Sequence, residues 1–487
     1  MLAFLIILAA NAVATNQDWH PAVDPALLRQ IRQDSPAGLM SVSNGAPVTY
    51  CEVNSTLNKP LIRNSFLMDH VTSMDRERTC VRTVHGQGSG AFGFFKVTHD
   101  LSHICKASFL KEIGKKTPVA ARFSSGIAEK GGSELSREIR GFALKFYTDE
   151  GIFDIPGIVT PMFVVKNPLY FVEFIHAIRK NPALYLADPM KLWDFVIKYP
   201  EAMHTFLLMF ADRGIPLSFA NMPCYNVHSL QVENEAGEVH FIRFHIEPFE
   251  GIKHLTTAEA QKINAADLDY YTRELYNRIK KGDYPRWNVS VQIVSEEDVQ
   301  KHGGLMFDVT RVLPKCDFPL HLLGEIVLNR NPTNHFAEIE QLAFCPANLV
   351  NGILGAPDKV YEARRFAYAD AQLYRLGPNV QKIPVNCPLH VPTEYSESPG
   401  EPVSYESTNK RGLLKIKEEE PYNYDQAAEL YENELTGDER TRLHENLILA
   451  ISPASEFVRE RVIEILEMIH PDLAYQVAKG LTSTMAE

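Results

Sequence analysis

An α+β fold is predicted for this chain, and three observations lead to it. Between about residues 81 and 330, short runs rich in β-branched and aromatic residues alternate with helical stretches. Residues 358–375 read as one helix, ended by Gly377-Pro378. From about Tyr424 onward the pattern is helical, with Val458, Val462, Ile465, Leu466 and Ile469 on one apolar stripe. Examples of the β-rich runs are 91–98, 119–124, 143–147, 162–165, 239–245, 289–294 and 307–312. Thr436-Gly437-Asp438-Glu439 has the form of a capping box at the start of a late helix.

Five segments follow from composition. Residues 1–14 read as a signal peptide, because Leu2 to Ala10 form a short apolar run and Ala12-Val13-Ala14 has the small-x-small pattern of a cleavage site. The run is too short to span a bilayer. Residues 15–80 are rich in Pro, Ser and Asn and suit an extended N-terminal arm; 81–330 form the β-rich body. Residues 331–423 carry the 358–375 helix and then a polar stretch with Pro399, Pro402 and Pro421; 424–487 are helical. The last residues, Ser483-Thr484-Met485-Ala486-Glu487, do not form a Ser-Lys-Leu-like peroxisomal address, so secretion is the expectation and a peroxisomal location the alternative. The net charge of −12 argues against non-specific nucleic-acid binding. Seven scattered cysteines contain no C-x-x-C pair, and most are expected as buried thiols. Asn54-Ser55-Thr56 and Asn288-Val289-Ser290 are glycosylation sequons, the second within a strand-like run.

The chemistry centres on Arg364-Arg365-Phe366-Ala367-Tyr368. Arg364 and Tyr368 are four apart on the expected helix and so share a face. A phenol titrates near pH ~10 in water. A ferric ion and an adjacent guanidinium both favour its charged form, so the pair suits a phenolate ligand to haem iron. Other strings accompany it. Arg82-Thr83-Val84-His85 leads into Gly86-Gln87-Gly88-Ser89-Gly90-Ala91-Phe92-Gly93. Arg122-Phe123-Ser124, Arg140-Gly141-Phe142-Ala143-Leu144-Lys145-Phe146-Tyr147, Leu328-Asn329-Arg330-Asn331-Pro332 and Arg375-Leu376-Gly377-Pro378-Asn379 follow in that order.

These strings resemble the monofunctional haem catalases, without an obvious gap from about Arg76 to Cys387 and more loosely beyond. The resemblance implies an eight-stranded antiparallel β-barrel, a wrapping segment carrying the proximal haem helix, a small helical domain, and a homotetramer knitted by the arms. It implies haem b with ferric iron, held by Tyr368. Arg82, Arg122 and Arg375 match positions facing the haem propionates, where charge-assisted contacts suit the role. Arg364, Phe171 and His228 match cofactor-supporting positions, and Arg213 is assigned support only. His85 matches the distal histidine, which shuttles a proton between the two peroxide oxygens. Ser124 matches the hydroxyl that fixes its tautomer. The implied substrate is hydrogen peroxide or a small hydroperoxide, with neither nucleic acid nor membrane as partner.

Departures from the family pattern qualify the activity. The family carries Gly-Asn-Asn-Thr-Pro where this chain has Gly157-Ile158-Val159-Thr160-Pro161, so Ile158 stands where the second distal catalytic residue is expected. Isoleucine cannot hydrogen-bond peroxide. Glu138 replaces a family Asp, and Gly126 replaces a Val that narrows the channel. In the pocket where relatives hold NADPH, His204, Arg213 and Tyr225 match, while Glu247, Leu313 and Lys315 replace Lys, Trp and His; tight NADPH binding is not expected. Three readings are therefore open: a catalase weakened at Ile158, a secreted haem peroxidase or hydroperoxide-converting enzyme, and a non-enzymatic haem-binding protein. Val84 disfavours the allene oxide synthase version of the second, whose relatives typically carry Thr there.

Overall fold

The computed structural model describes residues 39–44, 46–49, 65–387, 413–417 and 424–484. The signal peptide, Cys51, the Asn54 sequon and the prolines at 399, 402 and 421 lie outside the described residues. The chain divides into two compact units, Val81–Asn331 with Ala343–Glu487, and Met1–Cys80 with Pro332–Leu342. In the smaller unit, Leu39–Ser41 and Pro47–Thr49 form an antiparallel hairpin. The amide and hydroxyl of Ser43 both donate to the Asp69 carboxylate, on the helix Ser65–Asp75, at 2.6 Å.

The larger unit is built on an eight-stranded barrel. Its strands are β1 (Gly88–Val97), β2 (Lys116–Ser124), β3 (Gly141–Thr148), β4 (Gly151–Ile158), β5 (Cys224–Tyr225), β6 (Val239–Pro248), β7 (Arg286–Ser295) and β8 (His321–Arg330). Each pairs antiparallel with the next in sequence, and β8 returns to β1, so the ring closes. Closure removes the unpaired edges an open sheet would expose. Leu230–Glu233 extends the sheet from β6, and Ile353–Gly355 pairs with it. Alternation along the strands sends Phe123, Phe142 and Trp287 into one aromatic core, with ring centroids 4.4–5.8 Å apart. Their neighbours Arg122, Ser124 and Gly141 consequently face out of the barrel.

Helices pack outside. They include α1 (Pro168–Ile178), α2 (Pro189–Lys198), α3 (Met203–Phe210), α4 (Lys359–Leu376), α5 (Gly437–Ile451), α6 (Glu456–Ile469) and α7 (Pro471–Thr484). The capping box at Thr436 and Glu439 is formed at the start of α5, and the apolar stripe of α6 is buried. These helices share a second core with α1 to α3.

Two expected strands are not strands. Residues 162–165 and 307–312 meet through one backbone bond, Phe163 N–H to Val309 carbonyl at 2.6 Å, with no ladder. Met162, Val164 and Val165 are buried in the helical core, so their apolar run reflects burial on several sides rather than a sheet. Strands β4, β5 and β8 fall outside the runs given as examples from the sequence. Among the described cysteines only Cys105 and Cys224 are buried; Cys80 and Cys316 are exposed, and Cys345 and Cys387 are half-buried. This is fewer buried thiols than the sequence suggested.

Lys145 on β3 and Asp154 on β4 form a fully buried ion pair, with Nζ 2.9 Å from both carboxylate oxygens. Asp154 also accepts from the Cys345 amide at 2.9 Å and the Asn348 side chain at 2.8 Å. It therefore ties the barrel to the segment that leads into α4. Replacing Lys145 by Met would leave that carboxylate buried without its cation, and should destabilise the protein by about 3–5 kcal/mol. Urea unfolding of Lys145→Met checks this, and an unchanged midpoint would contradict the tie.

Candidate active site

His85 lies just before β1 in a left-handed backbone conformation, φ 60°. Such a conformation is uncommon outside glycine and persists only where surrounding contacts enforce it. Its N–H donates to the Gly126 carbonyl at 3.1 Å, and its Nδ1 lies 3.1 Å from Ser124 Oγ. With Nδ1 engaged by Ser124, Nε2 is the nitrogen left to exchange a proton. Gly141 makes room for this ring. A Cβ there would stand 2.8 Å from His85 Nδ1 and 2.7 Å from Ser124 Oγ. Burial, then the charges of Arg122, Arg82 and Arg364, push the His85 pKa down to about 3.

Directly paired residues in antiparallel strands project on one face. Ser124 and Ile158 are both paired with Gly141. Since the missing Cβ of Gly141 points at His85, Ile158 projects on the His85 side and presents only hydrocarbon there. Gly126 is required by the local backbone, for a Cβ would lie 2.1 Å from the Ile139 carbonyl oxygen. The buried Glu138 turns Oε2 onto the amides of Ile127 at 2.6 Å and Ala128 at 3.2 Å.

Tyr368 and Arg364 lie on α4, which Asp358 caps by accepting the Tyr361 amide at 2.8 Å. The other Asp358 oxygen is 2.8 Å from His228 Nδ1. His228 Nε2 is 2.8 Å from Arg364 Nη1, and Arg364 Nη2 donates to Tyr368 Oη at 3.2 Å and to the Pro156 carbonyl. A guanidinium only donates, so Nε2 must accept and Nδ1–H must donate to Asp358. Burial holds the His228 pKa below its ordinary value, which keeps this neutral tautomer. Asp358, His228, Arg364 and Tyr368 thus form one directed chain. The helix spacing was legible in the sequence; the partnership of His228 with Asp358, 130 residues apart, was not.

The remaining expected residues fall around this centre. Arg122 is buried and donates to the Gly86 carbonyl at 3.3 Å, and it acts on His85 together with Arg82 and Arg364. Arg375 is buried seven residues beyond Tyr368, two turns along the same helix face, with Nη2 2.8 Å from Gln372 Oε1. Phe171 packs on Phe163 at a centroid distance of 5.5 Å, and its helix α1 touches α4. Farther round the barrel, Glu247 accepts from Tyr225 Oη at 3.4 Å and lies 3.5 Å from Lys315 Nζ. Arg213 pairs with Glu434 at 3.2 Å, Leu313 is buried, and burial pushes the His204 pKa down to about 4.

The arrangement suits a dianionic haem held by an oxygen ligand. Tyr368 keeps part of its surface open, with a guanidinium donating to its oxygen. Three arginines raise the positive charge around His85. Carboxylates bound beside them would offset that charge.

The His85 shift has a sign that can be tested. The folded pKa, about 3, lies below the ordinary 6.5. The unfolded chain therefore binds more protons in between. The neutral ring's contribution is fully present above about pH 6.5 and is lost progressively as pH falls toward 3. Between pH 7 and 5, wild type should lose on the order of 1–2 kcal/mol more stability than His85→Gln. Urea midpoints at the two pH values measure this, and equal losses would contradict it.

Comparison with known proteins bears on the family and the fold. The catalase family model matches residues 41–424, and the model for the catalase-related immune-responsive domain matches 417–481. A catalase of Methanosarcina barkeri is 39% identical over 454 residues, covering 88% of this chain and 90% of its own. Catalase-2 of Caenorhabditis elegans is 36% identical over 462 residues, covering 89% and 93%. Catalase A from Saccharomyces cerevisiae superposes with a TM-score of 0.82 at 32% identity, covering 91% of this chain and 99% of its own. With the barrel, the capped helix and the matched motifs in place, this chain belongs to the monofunctional haem catalase family.

Proposed function

We propose that this protein is a haem-dependent catalase, converting two hydrogen peroxide molecules to two waters and one dioxygen, with its rate lowered by Ile158. The observation that carries the reading is His85, held neutral and oriented by Ser124, on the side of the sheet to which Ile158 projects. Tyr368 would supply the oxygen ligand to the iron, with Arg364 donating to that oxygen. Arg82, Arg122 and Arg375 would meet the propionates. Bound haem would supply a ferric centre that exchanges two electrons with peroxide. His85 accepts the proton from one peroxide oxygen and returns it to the other, and Ser124 keeps Nδ1 occupied so that Nε2 does this work. Where relatives place an Asn, Ile158 offers no donor, so peroxide is oriented by His85 alone.

Haem content tests the ligand assignment. Tyr368→Phe should lose or misplace haem, seen as a reduced haem-to-protein ratio and an altered Soret band; an unchanged spectrum and haem content would refute it. The Ile158 role has its own test. A missing aimed donor in a catalytic site is worth roughly 10- to 1000-fold in rate. Ile158→Asn should raise the rate with hydrogen peroxide by a factor in that range, with Val159 limiting the gain because the family usually has a second Asn there. If wild type already works at the rate of its relatives, the assigned role of Ile158 is wrong. No tight NADPH site is proposed, since Glu247, engaged by Tyr225 and Lys315, would oppose a 2′-phosphate. Stoichiometric nucleotide in the purified protein would overturn that statement.

A further inference from the structure

We propose that Glu138 is a positioning residue for His85, acting through the single peptide plane that joins Gly126 to Ile127. The inference rests on the reading of His85 as the distal acid/base. The carbonyl of that peptide accepts the His85 N–H at 3.1 Å. The N–H of the same peptide donates to Glu138 Oε2 at 2.6 Å. A peptide is rigid and planar, with its C=O and N–H on opposite sides. A carboxylate that fixes the N–H direction therefore fixes where the carbonyl points. The next amide, Ala128 N–H, reaches the same oxygen at 3.2 Å, so two successive amides converge on one anion.

Several features make this grip matter. His85 sits at φ 60°, a conformation that its contacts must hold. Neighbouring bonds clamp the rest of the loop to the His85 segment: Ser125 N–H to the Gln87 carbonyl at 3.1 Å, Gln87 N–H to the Ala128 carbonyl at 3.4 Å, and Gly131 N–H to Gln87 Oε1 at 2.8 Å. Gly126 has no space for a side chain, because a Cβ would meet the Ile139 carbonyl at 2.1 Å, so side-chain packing cannot hold that residue in place. Glu138 is itself rigidly placed. It is 2% exposed, its N–H donates to the Gly214 carbonyl at 3.3 Å, and its carbonyl accepts from Arg140 Nη1 at 3.4 Å. Its second oxygen, Oε1, is buried without a hydrogen-bond partner among the described residues. The carboxylate is thus committed to the loop backbone.

The test uses full-length, haem-loaded protein. Glu138→Ala removes the grip; Glu138→Gln keeps an acceptor oxygen of the same reach. Hydrogen exchange read by mass spectrometry on peptides spanning 84–88 should speed up on the order of tenfold or more in Glu138→Ala and stay near wild type in Glu138→Gln. Peroxide turnover should fall about 10- to 100-fold in Glu138→Ala, since misplacing a reacting group by about an ångström has effects of that size. The loss should vanish in a His85→Gln background, because Glu138 acts through His85. Unchanged exchange over 84–88, or an equal loss of rate with and without His85, would overturn the proposal. If Glu138→Ala fails to fold, Glu138→Met, of similar size but without an acceptor oxygen, should show the same exchange and non-additivity, and wild-type behaviour there overturns it equally. The exchange readout needs no turnover, so it stands even if wild type proves inert toward peroxide.

Discussion

The contact between Arg364 and Tyr368 is what the rest of the site depends on. Helix geometry sets it, since residues four apart lie on one face and the guanidinium can reach the phenol oxygen. The surroundings then leave the arginine little freedom. One nitrogen is taken by His228, which Asp358 backs, and the other also donates to the Pro156 carbonyl on β4. Asp358 is at the same time the cap of α4. One carboxylate therefore fixes the helix start, the histidine tautomer and, through it, the arginine. The helix that carries Tyr368 is bound to the barrel wall that carries Ile158 by this same chain.

Across from it, His85 is held by a different kind of constraint. Its backbone is in an unfavourable region, its ring is half-buried, and three arginines disfavour its charged form. Each feature costs stability alone. Together they favour a neutral imidazole with one nitrogen engaged by Ser124. The glycines at 126 and 141 follow from the same requirement, because a side chain at either would collide with backbone or with the ring itself. The departure at Ile158 is local. It removes a polar group from the pocket wall and leaves the pairing of β3 with β4 intact.

Much of the architecture was legible where local and global signals agree. The helix 358–375 stood out because its stop signal and polar pattern are strong, and α4 spans Lys359–Leu376. The capping box of α5 and the stripe of α6 were readable for the same reason. Strand β4, Gly-Ile-Phe-Asp-Ile-Pro-Gly-Ile, did not stand out because Gly, Asp and Pro have poor β-propensity; its Asp is stabilised there by Lys145 from the neighbouring strand. Residues 162–165 misled in the other direction, since a short apolar run cannot distinguish a strand from a buried irregular segment. In the site, residue types and order were readable through the family resemblance. The connections were not. His228 to Asp358, and Glu138 to the Gly126–Ile127 peptide, join residues whose proximity exists only after folding.

The central claim is that the proton-shuttling half of a catalase site is intact while the peroxide-orienting half is weakened. Oxygen evolution by purified, haem-loaded wild-type protein, run beside oxidation of an added electron donor under the same peroxide concentration, tests it most directly. The account predicts dioxygen at one per two peroxides consumed, at a rate well below that of the relatives, and lost in His85→Ala. Donor oxidation without dioxygen, or no peroxide consumption with haem bound, would contradict it.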